Sequence, residues 1–194
     1  MALCKHALGE SMKAKIKWLL NALFVVLNIP ALALYYLLKP VSRKDELFAG
    51  FSQFYSLYPG QFGVYLRRNF YRFTMTHCGK NVVIGFGTLF SHQDIEIGDN
   101  VYIGPQCNIG LCKIGAECLI GSGVHILSGK NQHNFKDHTK PLREQGGRYD
   151  KIEIGENCWL GNCCVVMANI ATRTVVSSMT KVFKSIEQSG LVVS

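Results

Sequence analysis

The chain has 194 residues, room for one domain of ordinary size and a modest extension, but not for two large domains. With 48% hydrophobic and 18% charged residues and a mean hydropathy near zero, it is neither a disordered acidic chain nor a multi-span membrane protein. The net charge of +8 sits mostly in the first part: residues 1–77 carry 10 Lys and Arg against 3 acids, and residues 78–194 carry 11 against 10.

The first element is apolar. Trp18 to Leu38 is a run of 21 residues without a formal charge, bounded by Lys17 and Lys39, and that length can cross a bilayer core. Lys5, Lys13 and Lys15 precede it and Arg43 and Lys44 follow, so the positive-inside rule does not orient it. Lys39-Pro40 stands where a signal peptide would place a small-residue cleavage site. Asn28 and Pro30 mark a place for a helix to break and turn back, giving a re-entrant or interfacial element; a core helix of a soluble protein is the alternative. A basic surface also suits nucleic acid. Here the cations flank an apolar run, which points to an anionic membrane surface and away from nucleic acid. Residues 1–45 are therefore read as a membrane-association segment, anchoring the chain to the cytoplasmic face of a membrane.

Residues 46–77 read as an amphipathic, aromatic-rich helical region. Ten of the 21 aromatic residues fall between Phe48 and Phe73, and Tyr58-Pro59-Gly60 separates two stretches with helical spacing. Arg67, Arg68 and Arg72 lie among the rings of the second stretch. Such a mixture suits the headgroup layer or a helical hairpin that caps the next domain, and the two roles are compatible.

From residue 78 the texture changes. Aliphatic-Gly pairs begin at Ile84, Ile97, Ile103, Ile109, Ile114, Ile120, Ile154 and Leu160; from Ile97 the steps are 6, 6, 5, 6 and 6 to Ile126, then 6 and 6 from Ile154 to Val166. A six-residue period with an aliphatic first, Gly second and a small residue fifth is the signature of a parallel β-helix. The aliphatic is expected to point inward, Gly to take a corner that a Cβ would obstruct, and the fifth residue to fit beside it. Cys107, Cys118, Cys158 and Cys164 occupy that fifth place, so they read as small core residues rather than disulfide or zinc ligands. Cys4, Cys78, Cys112 and Cys163 read as unpaired thiols.

With this register, residues 78–186 resemble the left-handed parallel β-helix acyltransferases, the family of serine, galactoside, maltose and virginiamycin acetyltransferases, and most of all their sugar-modifying members from surface-polysaccharide pathways. The run Ile154-Gly155-Glu156-Asn157-Cys158-Trp159-Leu160-Gly161 is similar to the family's IGxxxWIG rung. The break in period between Ile126 and Ile154 resembles its extruded active-site loop, here residues 127–153 of a domain at 78–194. The fold class implied is mainly β, a left-handed β-helix with an N-terminal helical extension. The resemblance further implies a homotrimer, acetyl-CoA bound between subunits, no metal requirement, and an acceptor that is a sugar or glycolipid of an envelope polysaccharide.

Acyl transfer to a hydroxyl needs a base to take the proton and donors for the developing oxyanion. The loop holds His133 and His138, and an imidazole is the side chain that exchanges protons near neutrality. His133 occupies the position similar to the family's catalytic histidine, ten residues before Arg143 as in the galactoside enzyme's pattern, and is read as the base. Arg143 and His92, which interrupts a rung, are read as acceptor contacts. His125 is expected to point outward, where a subunit interface is the one place it matters. By resemblance, Trp159, Asn162 and Ala168 line the coil edge where pantetheine would run, with Lys184 near the phosphates. Past Met167 the family continues with Gly-containing rungs, whereas Ile170–Met179 has none, so an irregular last coil is expected.

Two readings from other classes compete. The γ-type carbonic anhydrases share the fold and bind zinc through three histidines, for which His92, His133 and His138 are available, though two of these sit in an irregular loop. A non-catalytic membrane-bound trimer, a scaffold or degenerate paralogue, is the other.

Overall fold

The structure, a computed structural model, describes the backbone of residues 2–192 and the side chains of Met12 and residues 15–191. Cys4, Lys5 and Lys13, invoked above, have side chains outside that range.

Three helices come first: α1 (Ala2–Leu38), α2 (Lys44–Ser56) and α3 (Gly60–Thr74). The expected break at Asn28 and Pro30 does not occur, and α1 runs on through Pro30. Proline forfeits its bond to the carbonyl four residues back, yet the helix is held on both sides of the gap. Before it, the buried Asn28 Nδ2 donates to the carbonyls of Phe24 (2.7 Å) and Leu66 (3.3 Å). After it, the buried Tyr35 packs edge-on against Phe51 and Phe70 at 5.4 and 5.9 Å.

The remainder winds into a parallel β-helix. Its first coil is β1 (His77–Cys78), β2 (Val83–Ile84) and β3 (Leu89–Phe90); the second is β4 (Glu96–Ile97), β5 (Tyr102–Ile103) and β6 (Asn108–Ile109). The third is β7 (Cys112–Ile114), β8 (Leu119–Ile120) and β9 (His125–Ile126), and the fourth is β10 (Ile152–Ile154), β11 (Trp159–Leu160) and β12 (Val165–Val166). The fifth is Ile170 with β13 (Val175–Val176) and β14 (Lys181–Val182), and a sixth begins with Ile186 and β15 (Leu191–Val192). Like-placed strands pair in parallel to give three sheets, with β1, β2 and β3 each at one edge.

Register puts like residues on top of one another. One inward column is Cys78, Ile97, Ile114, Ile154 and Ile170; a second is Ile84, Ile103, Ile120, Leu160 and Val176; the third is Phe90, Ile109, Ile126, Val166 and Val182. All are buried, and each aliphatic withdrawn from water contributes about 1.5–3 kcal/mol before entropy is counted. Cys107, Cys118, Cys158 and Cys164 fill the small slot as expected, their thiols donating to carbonyls of the next coil, as Cys118 does to Gly155 (3.1 Å). Thr174 and Thr180 take that slot in the fifth coil, which is regular despite its missing glycines. The coil shortens instead, from 19 residues (Cys78 to Ile97) to 17 (Ile97 to Ile114) and 16 (Ile154 to Ile170).

The hexad glycines serve close approach rather than a special backbone angle. A Cβ on Gly104 would lie 2.8 Å from the Gly121 carbonyl carbon, and one on Gly161 2.4 Å from the Ser178 nitrogen. The left-handed corner falls two residues later, at Asn100, Gln106, Glu117, Asn157 and Cys163, so the conformational part of the glycine reading is corrected.

The helices cover the free edge of the first coil at β2 and β3. The Phe90 N–H donates to Ser52 Oγ (2.8 Å), the Gly87 N–H to the Ser56 carbonyl (3.0 Å) and the Gln93 N–H to Asp45 Oδ1 (2.9 Å). In the opposite sense the fully buried Arg67 donates through Nε to the Ile84 carbonyl (2.9 Å) and through Nη1 to those of Tyr55 (3.1 Å) and Tyr58 (2.7 Å). These partners supply the edge groups that an open sheet leaves unpaired.

Candidate active site

The chain leaves the β-helix after Leu127 and rejoins it at Lys151, and the loop's two legs are zipped together. Asp150 N–H donates to the Ser128 carbonyl (2.9 Å), Arg148 N–H to Asn131 (2.8 Å) and Asn134 N–H to Gly146 (2.9 Å). Gly147 permits this closeness, because a Cβ there would stand 1.9 Å from the Gln132 oxygen. The tip is folded on itself: Gln145 Nε2 donates to the carbonyls of Asp137 (2.7 Å) and Lys140 (3.0 Å). Asp137 Oδ1 accepts from Thr139 N (3.0 Å) and Oγ1 (2.6 Å), bonds that hold its carboxyl below the usual range.

A cleft opens on each side of the loop base. The first, about 370 Å³, lies between α2 and the outer face of the β3, β6 and β9 sheet, with Gln53 on one wall, Asn108 and His125 on the other, and Ser91, His92, Gln132 and Tyr149 around it. His92 is half-buried; its Nδ1 is 2.8 Å from Ser91 Oγ and its ring meets Tyr149 edge-on at 5.1 Å. Asn108 Nδ2 lies 3.4 Å from His125 Nδ1. The second cleft, about 440 Å³, is lined by Gly129, Lys130, Lys151, Ala168, Phe183 and Lys184 among others. Lys151 is engaged by Glu96 (2.6 Å) and Asp94 (3.3 Å); among the described residues Lys130 and Lys184 form no ion pair.

Burial pushes the His92 pKa below its ordinary value, with Asp45 opposing and Lys44 reinforcing the shift. The unfolded chain takes up this proton first as pH falls, so the stability is present above the unfolded pKa of about 6.5 and is lost as pH falls through the folded one. In His92→Gln the urea midpoint should therefore fall less steeply from about pH 7 to pH 5 than in wild type. Equal slopes would show that His92 titrates as a solvated group.

The residues singled out in the sequence do not all meet. His92 lines the first cleft, and Ala168 and Lys184 line the second. His133 is exposed on the loop leg, directly after Gln132 of the first cleft, and lines neither. Arg143 is exposed on a short turn at Leu142–Glu144, 3.6 Å from Glu144. Trp159 projects from β11 with 55% of its surface exposed, and Asn162 Oδ1 accepts the Ser122 N–H (2.9 Å) across a corner; neither reaches a cleft. His125 points outward as expected, but into the first cleft of its own chain. Ser91, Asn108, Gln132 and Tyr149 are cleft residues that the sequence does not single out; Asn108 alone carried a signal, as a polar residue just before an inward Ile. Among the described residues no three His, Cys, Asp or Glu side chains converge as metal ligands, so His92, His133 and His138 are not a ligand set in this chain.

No protein-family model matches the sequence. Solved acetyltransferase structures are similar, three of them as follows. A maltose O-acetyltransferase from Clostridium difficile superposes with a TM-score of 0.65 at 17% identity, over 76% of this chain and 80% of that one. A hexapeptide-repeat acetyltransferase from Vibrio cholerae, complexed with acetyl coenzyme A, gives 0.62 at 19% identity over 74% and 79%. A galactoside acetyltransferase in complex with coenzyme A gives 0.59 at 22% identity over 73% of each chain. What the superpositions share with the six-residue register and the stacked aliphatic columns is architecture: this chain has the left-handed β-helix fold of the hexapeptide-repeat acetyltransferases.

Proposed function

We propose that the chain is an acetyl-CoA-dependent acyltransferase that acetylates a sugar hydroxyl, or amine, in envelope polysaccharide or glycoconjugate synthesis. It works as a homotrimer on the cytoplasmic face of an anionic membrane, held there by its N-terminal segment. The observation that carries the reading is the pair of clefts at the base of the loop bearing His133, on a fold whose solved examples include an acetyl-CoA complex and a coenzyme A complex.

The clefts differ in chemistry as two substrates would require. Ser91, His92, Asn108, His125 and Gln132 give the first a ring of hydrogen-bonding groups suited to a polyhydroxylated acceptor. The second sets Lys130 and Lys184 beside Ala168 and Phe183, point charges for phosphates next to an apolar strip for pantetheine. His133 takes the proton of the acceptor hydroxyl as its oxygen attacks the thioester carbonyl; the carbon–sulfur bond breaks and the proton passes to the departing thiolate. Because His133 lines neither cleft of its own chain, the trimer brings it to a neighbour's substrates. Arg143, Trp159 and Asn162 serve that same interface.

The test is purified protein with labelled acetyl-CoA and a panel of lipid-linked and nucleotide sugars. Label should move to at least one acceptor with release of thiol, and Lys184→Ala should raise the KM for acetyl-CoA by up to about tenfold with kcat held, the mark of lost uniform binding. Failure to bind acetyl-CoA at all would leave the scaffold reading.

A further inference from the structure

The helix α1 carries two opposite apolar faces. One holds Asn21, Phe24, Asn28, Leu32 and Tyr35 at steps of three and four and is turned to α3 and α2. The other holds Leu19, Leu23, Val26, Leu27, Leu34 and Leu37, each about half exposed or more, with no charge among them. The stretch Lys15–Leu38 is long and apolar enough to cross a bilayer, with a mean hydropathy of 1.8. A crossing helix and one lying in the surface plane differ in what becomes of the inner face.

Helix α1 is fastened to α2 and α3 at three levels. Asn21 Oδ1 accepts from Arg68 and from Asn69 Nδ2 (3.5 Å). Asn28 donates to the Leu66 carbonyl and accepts the Tyr55 hydroxyl. The Tyr36 hydroxyl donates to the Phe73 carbonyl. From Asn21 to Tyr36 is about 22 Å of helix at 1.5 Å per residue, the length of α3 itself, and α3 is tied by Arg67 to the first coil. A spanning α1 must therefore either draw α3, with Arg67, Arg68 and Arg72, to bilayer depth, where each cation is costly, or abandon every one of these bonds. In the plane, all are kept and only the outer face leaves water.

We propose that α1 lies along an anionic bilayer as the outermost helix of the three-helix layer, its Leu19–Leu37 face sunk into the headgroup boundary and the β-helix standing off on the same side. This rests on the membrane half of the function proposed above. Exposed Lys15 and Lys17 precede the face, and exposed Lys39, Arg43 and Lys44 follow it; among the described residues, Arg43 is the one of these five paired with an acid, Glu46 at 2.7 Å. Cations at both ends match an anionic surface along the whole helix. They oppose a second copy as occupant, since either parallel or antiparallel pairing through this face sets cation against cation. Phe62 and Phe73 of α3, half exposed, add to the apolar margin.

The experiment uses full-length protein reconstituted by detergent removal into phosphatidylcholine vesicles with or without 30% phosphatidylserine. A single tryptophan is placed mid-face by Val26→Trp with Trp18→Phe and Trp159→Phe. Lipids brominated near the headgroup should quench it most, as expected at about 5–10 Å depth, and Lys39→Gln/Arg43→Gln/Lys44→Gln should weaken binding to the anionic vesicles on the order of a hundredfold. In sealed membranes from expressing cells, an impermeant maleimide should label Cys4 from the same side as the exposed Cys163. Binding with strongest quenching at the bilayer centre, or Cys4 labelled only from the side opposite Cys163, overturns the in-plane placement alone. Absence of binding to either vesicle overturns the membrane reading with it, and a lipid-free dimer dissociated by Val26→Asp assigns the face to a second copy.

Discussion

Acetyl transfer by His133→Ala should fall by about 10²–10⁴-fold, the usual loss when a general base is removed, with acetyl-CoA binding little changed. A thioester is already activated, so under the proposed function the protein's work would be to hold the acceptor hydroxyl within hydrogen-bond reach of the imidazole while the coil edge holds the carbonyl. His133 is free to play that part: it is exposed on a loop leg whose backbone is fixed on both sides by the Arg148 and Asn134 bonds. His138, on the folded tip, should cost far less when changed to Ala. Measuring transfer and metal content together for wild type and both variants separates the readings. In a zinc enzyme of the carbonic anhydrase kind both variants lose metal and both are damaged alike; in a scaffold there is no turnover to lose. Full transfer by His133→Ala would sink the mechanism while leaving the fold intact.

Arg67→Ala should be the most destabilising single substitution in the helical layer, costing about 3–5 kcal/mol and lowering the melting temperature by roughly 10 °C. The guanidinium is fully buried and its partners are three carbonyls, that of Tyr55 in the last turn of α2, that of Tyr58 just past the helix and that of Ile84 on the first coil. Burial lowers its pKa, yet it remains cationic because the group is so basic, and the cation faces the negative end of α2. Truncation leaves the Tyr58 and Ile84 carbonyls without this donor, and Lys at 67 places one compact ammonium where a planar fork reached both sides. Thermal melts of the two variants in mild detergent decide it. A loss below about 1 kcal/mol for Arg67→Ala would mean that water replaces the side chain and that the helices are not fastened to the β-helix through it.

The β-helix was legible because its constraint is local and repeated. An inward Ile, a Gly pressed against the next coil and a small fifth residue recur within six positions, so each hexad announces itself. The fifth coil escaped that reading for a physical reason: Thr174 and Thr180 fill the small slot as well as Cys does, and a coil of 16 residues, Ile170 to Ile186, omits corner residues without touching an inward column. Pro30 misled because helix propensity describes an isolated helix, whereas α1 is clamped by Asn28 and Tyr35 to partners 27 and 38 residues away in the case of Asn28. The first cleft was only partly readable. His92 was visible as a polar break in a rung, but Tyr149 and Gln132 reach it through the folding of the loop, and Gln53 through the docking of α2, neither of which has a periodic signature.

The helical cap also sets a limit on assembly. A solenoid with two open ends is a template for an unending fibre, because each molecule offers one edge and accepts another. Here the N–H groups of Phe90, Gly87 and Gln93 and the carbonyl of Ile84 are already taken by α2 and α3. Head-to-tail stacking needs both ends in turn, so with β2 and β3 covered at this end a second molecule cannot extend those two sheets here.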